Sequence, residues 1–266
     1  MAGPTLSRER LGSLGWGVAG AAFSIAVWWL LASTLLKDNH VPTPLDVLDV
    51  FRERGFDYYQ RIFSITLAES LRGYVVGVAV ALVLAMLVLL VPRLEPVIMQ
   101  FAVVTYCLPI VVLAPILIIV HDLPEPGGHS QTAVDLAAIS VFFTTVVGAV
   151  LGFRSADPAT LDVVDVYGGG RVQQFVRVRL VSALPALFTT LQIAAPAAFL
   201  GALLGEYFDR HLEVGVGPSL ILAQNNRETA LAWSLGIACA LVSGVAYVLI
   251  GMLGRRVAPW SKGVSP

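Results

Sequence analysis

The sequence predicts an all-α polytopic membrane protein with six transmembrane helices. Three observations carry that expectation. The chain has 266 residues, 57% hydrophobic and only 13% charged, whereas roughly a quarter of the residues in a soluble domain are charged. Six stretches are free of Asp, Glu, Lys and Arg: Leu11–Leu36, Gly73–Val91, Pro96–Val120, Leu136–Phe153, Leu180–Gly205 and Ala230–Gly254. Each approaches or exceeds the roughly 20 residues that carry a helix across a bilayer. Their apolar residues run on continuously instead of alternating, which in lipid selects helices over a closed barrel.

Each element follows from local signals. Arg8 and Arg10 precede the first run, whose length exceeds the roughly 7–15 residues of a signal-peptide core, so a retained span is expected. Pro42 and Pro44 break the chain after it. Leu45 to about Ile65 mixes apolar and charged residues and predicts an amphipathic helix on the outer surface. Glu69 and Arg72 stand three apart at the start of the second span and are expected to pair. Pro92 to Pro96 forms a tight turn. Pro109 and Pro115 are expected to bend the third span. Pro124, Pro126, Gly127 and Gly128 mark a loop before the fourth. In the fifth, Gly201 and Gly205 are spaced for close helix approach. Ser219–Ala223 is too short to span and is expected to re-enter the membrane partway. The domain division expected is 1–60, an N-terminal span with an outer amphipathic segment, 61–256, the transmembrane domain proper, and 257–266, a tail.

Basic residues in short loops orient such a protein. With the N-terminus inside, Arg8, Arg10, Arg93, Arg154, Arg171, Arg177, Arg179, Arg255, Arg256 and Lys262 lie inside, against Lys37, Arg52, Arg54, Arg61, Arg72, Arg210 and Arg227 outside. Both termini and the loop after the fourth span are therefore expected to be cytoplasmic. Ser130 and Glu213 are expected to be reachable from outside. Cys107 and Cys239 fall within spans as apolar fillers, and the four histidines show no metal-ligand spacing.

The polar stretch Asp157–Leu180 reads as two short helices. Asp157 suits an N-cap and Pro158 the first helical position. Leu161, Val164 and Tyr167 recur at helical spacing. Gly168-Gly169-Gly170 ends that helix, Gly168 as a left-handed cap. Val172, Phe175, Val176 and Leu180 then alternate with Arg171, Gln173, Gln174, Arg177 and Arg179. The result is either a knob presented to a partner or a solvated connector.

Much chemistry is excluded. The two lysines, Lys37 and Lys262, lie in no phosphate-binding GxxxxGK[ST] loop, and HExxH, GxSxG and CxxC are absent. No Asp, Glu, Lys, Arg or His stands at a span centre, where a charge-driven transporter keeps a titratable residue despite its cost. No cofactor is called for, and nothing points to nucleic acid. The sparse polar residues of the spans include Gln100, Thr105, Thr144, Thr189 and Gln192. They are candidates to line a pathway, with interhelical hydrogen bonding as the alternative role.

One further pattern is specific. Asp162-Val163-Val164, then three residues to Gly168, then nine to Val178-Arg179-Leu180, reproduces the spacing Glu-Ala-Ala, Gly, Ile-x-Leu. Asp stands for Glu, Val for Ala, and Val181 where a proline is usual. The chain thus resembles the permease subunits of ATP-binding-cassette importers, whose EAA loop has this pattern. Val41-Pro42-Thr43-Pro44, Ser70-Leu71-Arg72-Gly73-Tyr74 and Gly152-Phe153-Arg154-Ser155-Ala156-Asp157-Pro158 look like the nitrate, sulfonate and taurine branch, so that the likeness covers about Val41 to Trp260. The resemblance implies a type I importer transmembrane fold in the cell membrane. It implies a second permease subunit, the same chain or a related one, two cytoplasmic ATPase subunits that hydrolyse the ATP, and an extracytoplasmic solute-binding protein. In that family the loop docks on the ATPase, which here assigns Leu161, Asp162, Val164, Asp165, Tyr167, Gly168, Gly169, Arg171, Phe175 and Leu180 to coupling. The substrate implied is a small anion such as nitrate, a sulfonate or taurine, or a vitamin precursor. A channel or scaffold subunit without an ATPase is the alternative, and a membrane enzyme lacks candidate catalysts.

Overall fold

The computed structural model describes residues 5–35, 40–121 and 128–260, with side chains from 16 onward except 18. Lys37, Pro124, Pro126, Gly127 and Lys262 lie outside the described residues, as do the side chains of Arg8 and Arg10. Ten helices follow among the described residues: α1 Thr5–Ser33, α2 Pro44–Leu90, α3 Glu95–Cys107, α4 Ile110–Val120, α5 Gln131–Arg154, α6 Pro158–Val166, α7 Arg171–Gln174, α8 Leu180–Phe208, α9 Val216–Asn225 and α10 Thr229–Val257. A 3₁₀ turn, Pro92–Leu94, precedes α3. A π-helical turn, Phe175–Arg179, joins α7 to α8.

Four helical runs are long and apolar enough to cross a membrane: α2, α5, Arg171–Phe208 and α10. A fifth, α3 with α4, is bent by 95°. The bend falls at Leu108-Pro109, and Pro115 sits inside α4. The first apolar run lies in α1, where Ala19–Ser33 is a shorter apolar segment. The second span differs from expectation. The expected outer helix over Leu45–Ile65 is divided within α2: Pro44–Arg54 is one helix, and a second runs from Phe56 on into the second span. The break comes at Gly55, where φ 72° and ψ 169° are open to glycine alone at little cost.

The chain divides into two compact units. The first comprises 1–59 and 222–237. Thr43 caps α2 reciprocally: its N–H and hydroxyl both donate to Asp46 Oδ2 at 2.8 Å, and its Oγ1 accepts from Asp46 N at 3.3 Å. Trp28 stacks on Trp233 with ring centroids 5.2 Å apart and donates to Pro42 O. Tyr59 bonds Ser234 at 2.8 Å, and Arg54 pairs with Glu228.

The second unit comprises 60–221 and 238–266. Its centre is the antiparallel pair α5–α8. Small residues allow the approach: a Cβ on Gly205 would overlap Ala133, and one on Gly201 would meet Leu136 O at 2.6 Å. One buried cluster joins Ala133, Ala137 and Val141 to Ala194, Ala198 and Ala202. A larger one packs Ala81, Ala85 and Val88 of α2 and Ala102 of α3 against Phe142, Val146 and Phe153 of α5 and Leu187 of α8. Helices that bury alanine and glycine while exposing Val75, Val80, Leu241, Val245 and Leu249 suit lipid, where close van der Waals packing replaces the hydrophobic drive between helices.

Candidate functional site

The polar segment between α5 and α8 is built as a stiff projection. Asp157 caps α6, accepting from Ala159 N at 3.0 Å, with Pro158 in the first helical position. The helix ends at Tyr167. Gly168 takes φ +76°, Gly168 N bonds Asp165 O at 2.9 Å and Gly169 N bonds Val164 O at 2.8 Å. These paired bonds satisfy carbonyls that the helix end would otherwise orphan. Gly169 is held by contact instead, since an added Cβ would overlap Val164. Gly170 is extended and open, and it starts α7.

The second half is tied back to the first. Gln174 Nε2 donates to Asp165 Oδ1 at 2.7 Å and, at the longer 3.5 Å, to Leu161 O. Phe175 packs on Phe153 of α5 with centroids 5.5 Å apart, and Val178 is buried. Phe175 and Leu180 both lie against the larger core cluster. The projection is therefore continuous with the best-packed pair of helices in the unit.

Leu161 and Val164 are half-buried and turn inward, so the exposed apolar row is a different one. Val163, Val166, Tyr167 and Val172 stand open, with Val166 and Tyr167 more than four-fifths exposed. Asp162, Asp165 and Arg171 are exposed beside them.

The pathway candidates are spread over three helices. Gln100 is exposed and Thr105 half-buried on α3, Thr144 is half-buried on α5, and α8 carries exposed Thr189 and half-buried Gln192. The three hydroxyls return to their own helices, bonding Ala102 O, Val141 O and Pro185 O. Gln192 lies so close to α10 that a Cβ on Gly251 would meet its amide at 2.5 Å.

The far end of the α5–α8 pair holds a buried carboxyl network that the sequence reading missed. Glu206 is fully buried; it accepts from Thr66 Oγ1 at 2.7 Å and from Gly217 N at 2.8 Å. Thr66 Oγ1 in turn accepts from Val216 N at 3.1 Å. Glu69 does not pair with Arg72, which is exposed; it is fully buried and accepts from Ser130 N at 2.6 Å. Ser130 is buried too, contrary to its expected accessibility, because its hydroxyl donates to Asp209 Oδ2 at 2.8 Å and caps α5 at Ala133 N. His129 Nδ1 lies 3.7 Å from Glu69 Oε1. Burial, and then the positive charge of Arg72, hold its imidazole below the usual pKa. A signal did exist in the sequence. Thr66, Ser70, Gly73, Gly77, Ala81 and Ala85 mark the buried face of α2, and Glu69 falls in that register. Among the described residues no three His, Cys, Asp or Glu side chains are placed to hold a metal ion.

Comparison with known proteins gives this geometry a family. The sequence profile of binding-protein-dependent transport system inner membrane components matches residues 73–262. The chain belongs to that family. It is similar to the formylaminopyrimidine transport permease protein ThiX of Halalkalibacterium halodurans, 23% identical over 242 residues that cover 90% of this chain and 92% of that one. A probable ABC transporter permease protein of Haemophilus influenzae is 24% identical over 233 residues, 86% of this chain and 91% of that one. The riboflavin transport system permease protein RibX of Chloroflexus aurantiacus is 28% identical over 153 residues, 58% of this chain and 54% of that one. A chain in the crystal structure of a bacterial alginate ABC transporter, in complex with an alginate pentasaccharide-bound periplasmic protein, shares the fold. Its TM-score is 0.55 at 16% identity, covering 92% of this chain and 96% of that one. This binding-protein-dependent permease is thus a membrane-embedded transport subunit of the ABC importer class with the type I transmembrane fold, not an enzyme.

Proposed function

We propose that this permease forms the pathway for a small nitrogen heterocycle of the vitamin-precursor kind and couples it to ATP hydrolysis through loop 157–180. The observation that carries the coupling is the exposed apolar row Val163, Val166, Tyr167 and Val172 on a capped, core-anchored projection. Apolar groups of that size on a stiff support favour burial against a partner. ATPase subunits on the loop side, a second permease and a binding protein on the opposite side complete the assembly, with the loop and both termini in the cytoplasm. Two global states then follow from differential contacts at the two faces: closure of the ATPases draws the loops together, and the rigid root transmits that movement into α5 and α8.

Three features support the heterocycle over nitrate, a sulfonate or taurine. The named relatives carry formylaminopyrimidine and riboflavin. The fully buried ionisable side chains are the carboxyls Glu69 and Glu206, and among the described residues no Lys or Arg is buried to receive a bare anion. A cavity of about 130 Å³ lined by Tyr74, Phe199, Ser70 and Ser243 is apolar with a few hydroxyls, as a flat, largely neutral ring requires.

The deciding experiment is co-purification with mass spectrometry of the partners, then uptake in proteoliposomes carrying the assembled complex. Formylaminopyrimidine uptake that depends on ATP and is not competed by taurine is the expected result. Taurine or nitrate uptake would move the substrate class, and absence of any ATPase partner would remove the coupling reading.

A further inference from the structure

A cavity of about 430 Å³ opens at the root of the loop, between the end of α2, the end of α5 and the start of the Arg171–Phe208 helix. Three guanidinium groups line it: Arg154, Arg171 and Arg179. Leu89, Leu90 and Phe175 give it an apolar wall. Phe175 and Arg179 are the first and last residues of the π-helical turn, an irregularity that recurs at functional sites.

The charge balance of this cavity is unequal. Arg154 is neutralised by its ion pair with Glu95. Arg179 donates Nη1 to a neutral acceptor, Phe153 O, at 3.4 Å. Among the described residues neither Arg171 nor Arg179 has a carboxylate within ion-pair distance. The nearby Asp165 is engaged by Gln174. Two positive charges thus face one concave space without a counter-charge. Guanidinium forks match phosphate oxygens bidentately. Basic pockets beside apolar helix ends at the cytoplasmic face take lipid headgroups.

We propose that this cavity is a phosphate site, occupied by the phosphodiester of an anionic phospholipid or by a soluble phosphate. The two arginines hold the phosphate, and the Leu89–Leu90 wall accommodates the start of an acyl chain when the source is lipid. An occupant bridges α2 to α7 and so stiffens the root of the loop. The site itself follows from the cavity and its charges; only the leaflet rests on the cytoplasmic placement of the loop.

The test uses the full chain. Native mass spectrometry and thermal melting would be run in phosphatidylcholine nanodiscs with and without phosphatidylglycerol, and in detergent with inorganic phosphate against chloride at matched ionic strength. Retained phosphatidylglycerol with a raised melting temperature assigns the lipid; a response to inorganic phosphate alone assigns the soluble ion; either supports the site. Arg171→Gln and Arg179→Gln should each weaken retention roughly tenfold, with Arg177→Gln, outside the cavity, unchanged. Arg171→Lys keeps the charge and loses the fork, so it should fall between. The wild-type arms need no variant, which keeps the test decisive if a substitution fails to fold. No response to either ligand overturns the proposal. So does undiminished lipid retention in the Arg171→Gln, Arg179→Gln double variant. Loss of ATPase co-purification in that variant, with lipid and phosphate responses intact, would instead hand the arginines to an acidic protein surface and equally overturn it.

Discussion

The two ends of the α5–α8 pair solve opposite problems. At about 1.5 Å per residue, the 24 residues of α5 separate them by roughly 36 Å. At the loop end the chain exposes apolar side chains, three successive glycines and unneutralised arginines. At the other end it buries Glu69, Glu206, Ser130 and Thr66 among hydrogen bonds that leave only Glu69 Oε2 without a partner among the described residues. The first arrangement costs stability little when altered, because few of its groups are desolvated. The second ties α2, α5, α8 and α9 together through atoms that have no water to fall back on. The proposed docking surface and a structural staple are thus held apart by one helix pair.

The contrast can be broken most strongly at the carboxyl end. Glu206→Ala leaves Gly217 N–H buried without its acceptor, at about 1–3 kcal/mol, and leaves the Thr66 hydroxyl only the longer bond to Ile62 O at 3.3 Å. The expected outcome is a large drop in melting temperature in detergent and a poor yield of folded protein, with Glu206→Gln closer to wild type. A Glu206→Ala variant that melts normally would show that this end is not a staple.

Next comes the glycine cap. Gly168→Leu meets a left-handed backbone that costs a residue with Cβ roughly 1–2 kcal/mol. Transport and ATPase association should fall sharply while the melting temperature of the bundle moves little. Gly169→Ala should behave similarly through its clash with Val164, and Gly170→Ala should be nearly silent. If all three behave alike in uptake assays, the cap has no part in coupling.

A smaller effect is expected from Tyr167→Ala and Val166→Ala, which remove exposed apolar area. Pull-down of the ATPase should weaken with no change in melting. Thiol labelling sharpens the same comparison. A cysteine at Glu213 should react in sealed cells and one at Gln173 should not; the reverse pattern would invert the orientation.

The smallest effect belongs to His129. Its lowered pKa means that the unfolded chain binds the proton more readily than the folded one. Stability contributed by the neutral ring is therefore present above about pH 6.5 and declines as pH falls below it. Melting curves taken across that range should show a shallower acid slope for His129→Gln.

The loop end was legible because its signals are local. An Asp-Pro start, a glycine stop and a fixed spacing to Leu180 lie within one short stretch, and the cap of Gly168 appears where that spacing puts it. The face was read less well: a helix this short carries too few turns to say whether Leu161 and Val164 or Val163 and Val166 turn outward. The carboxyl end was illegible for the opposite reason. Glu69, Ser130 and Glu206 meet across separations of 61 and 140 residues or so, as the Ser130–Glu69 and Thr66–Glu206 bonds show. An acidic residue beside Arg72 reads as a surface pair when only its neighbours are known.

The right-angled break of α3 and α4 has a consequence for how this segment can be probed. Pro109 and Pro115 have no N–H to give to the carbonyls four residues earlier, those of Thr105 and Val111. Main-chain acceptors are thereby released at membrane depth in a stretch free of Asp, Glu, Lys, Arg and His. A backbone oxygen is carried by every amino acid, so no side-chain truncation at Thr105 or Val111 deletes it. Alanine scanning of Glu95–Val120 would accordingly pass over any part these carbonyls take in receiving a donor. Replacing the prolines restores the missing N–H groups, and substituting an ester for the amide weakens the oxygen itself; those are the changes to which this segment is chemically exposed.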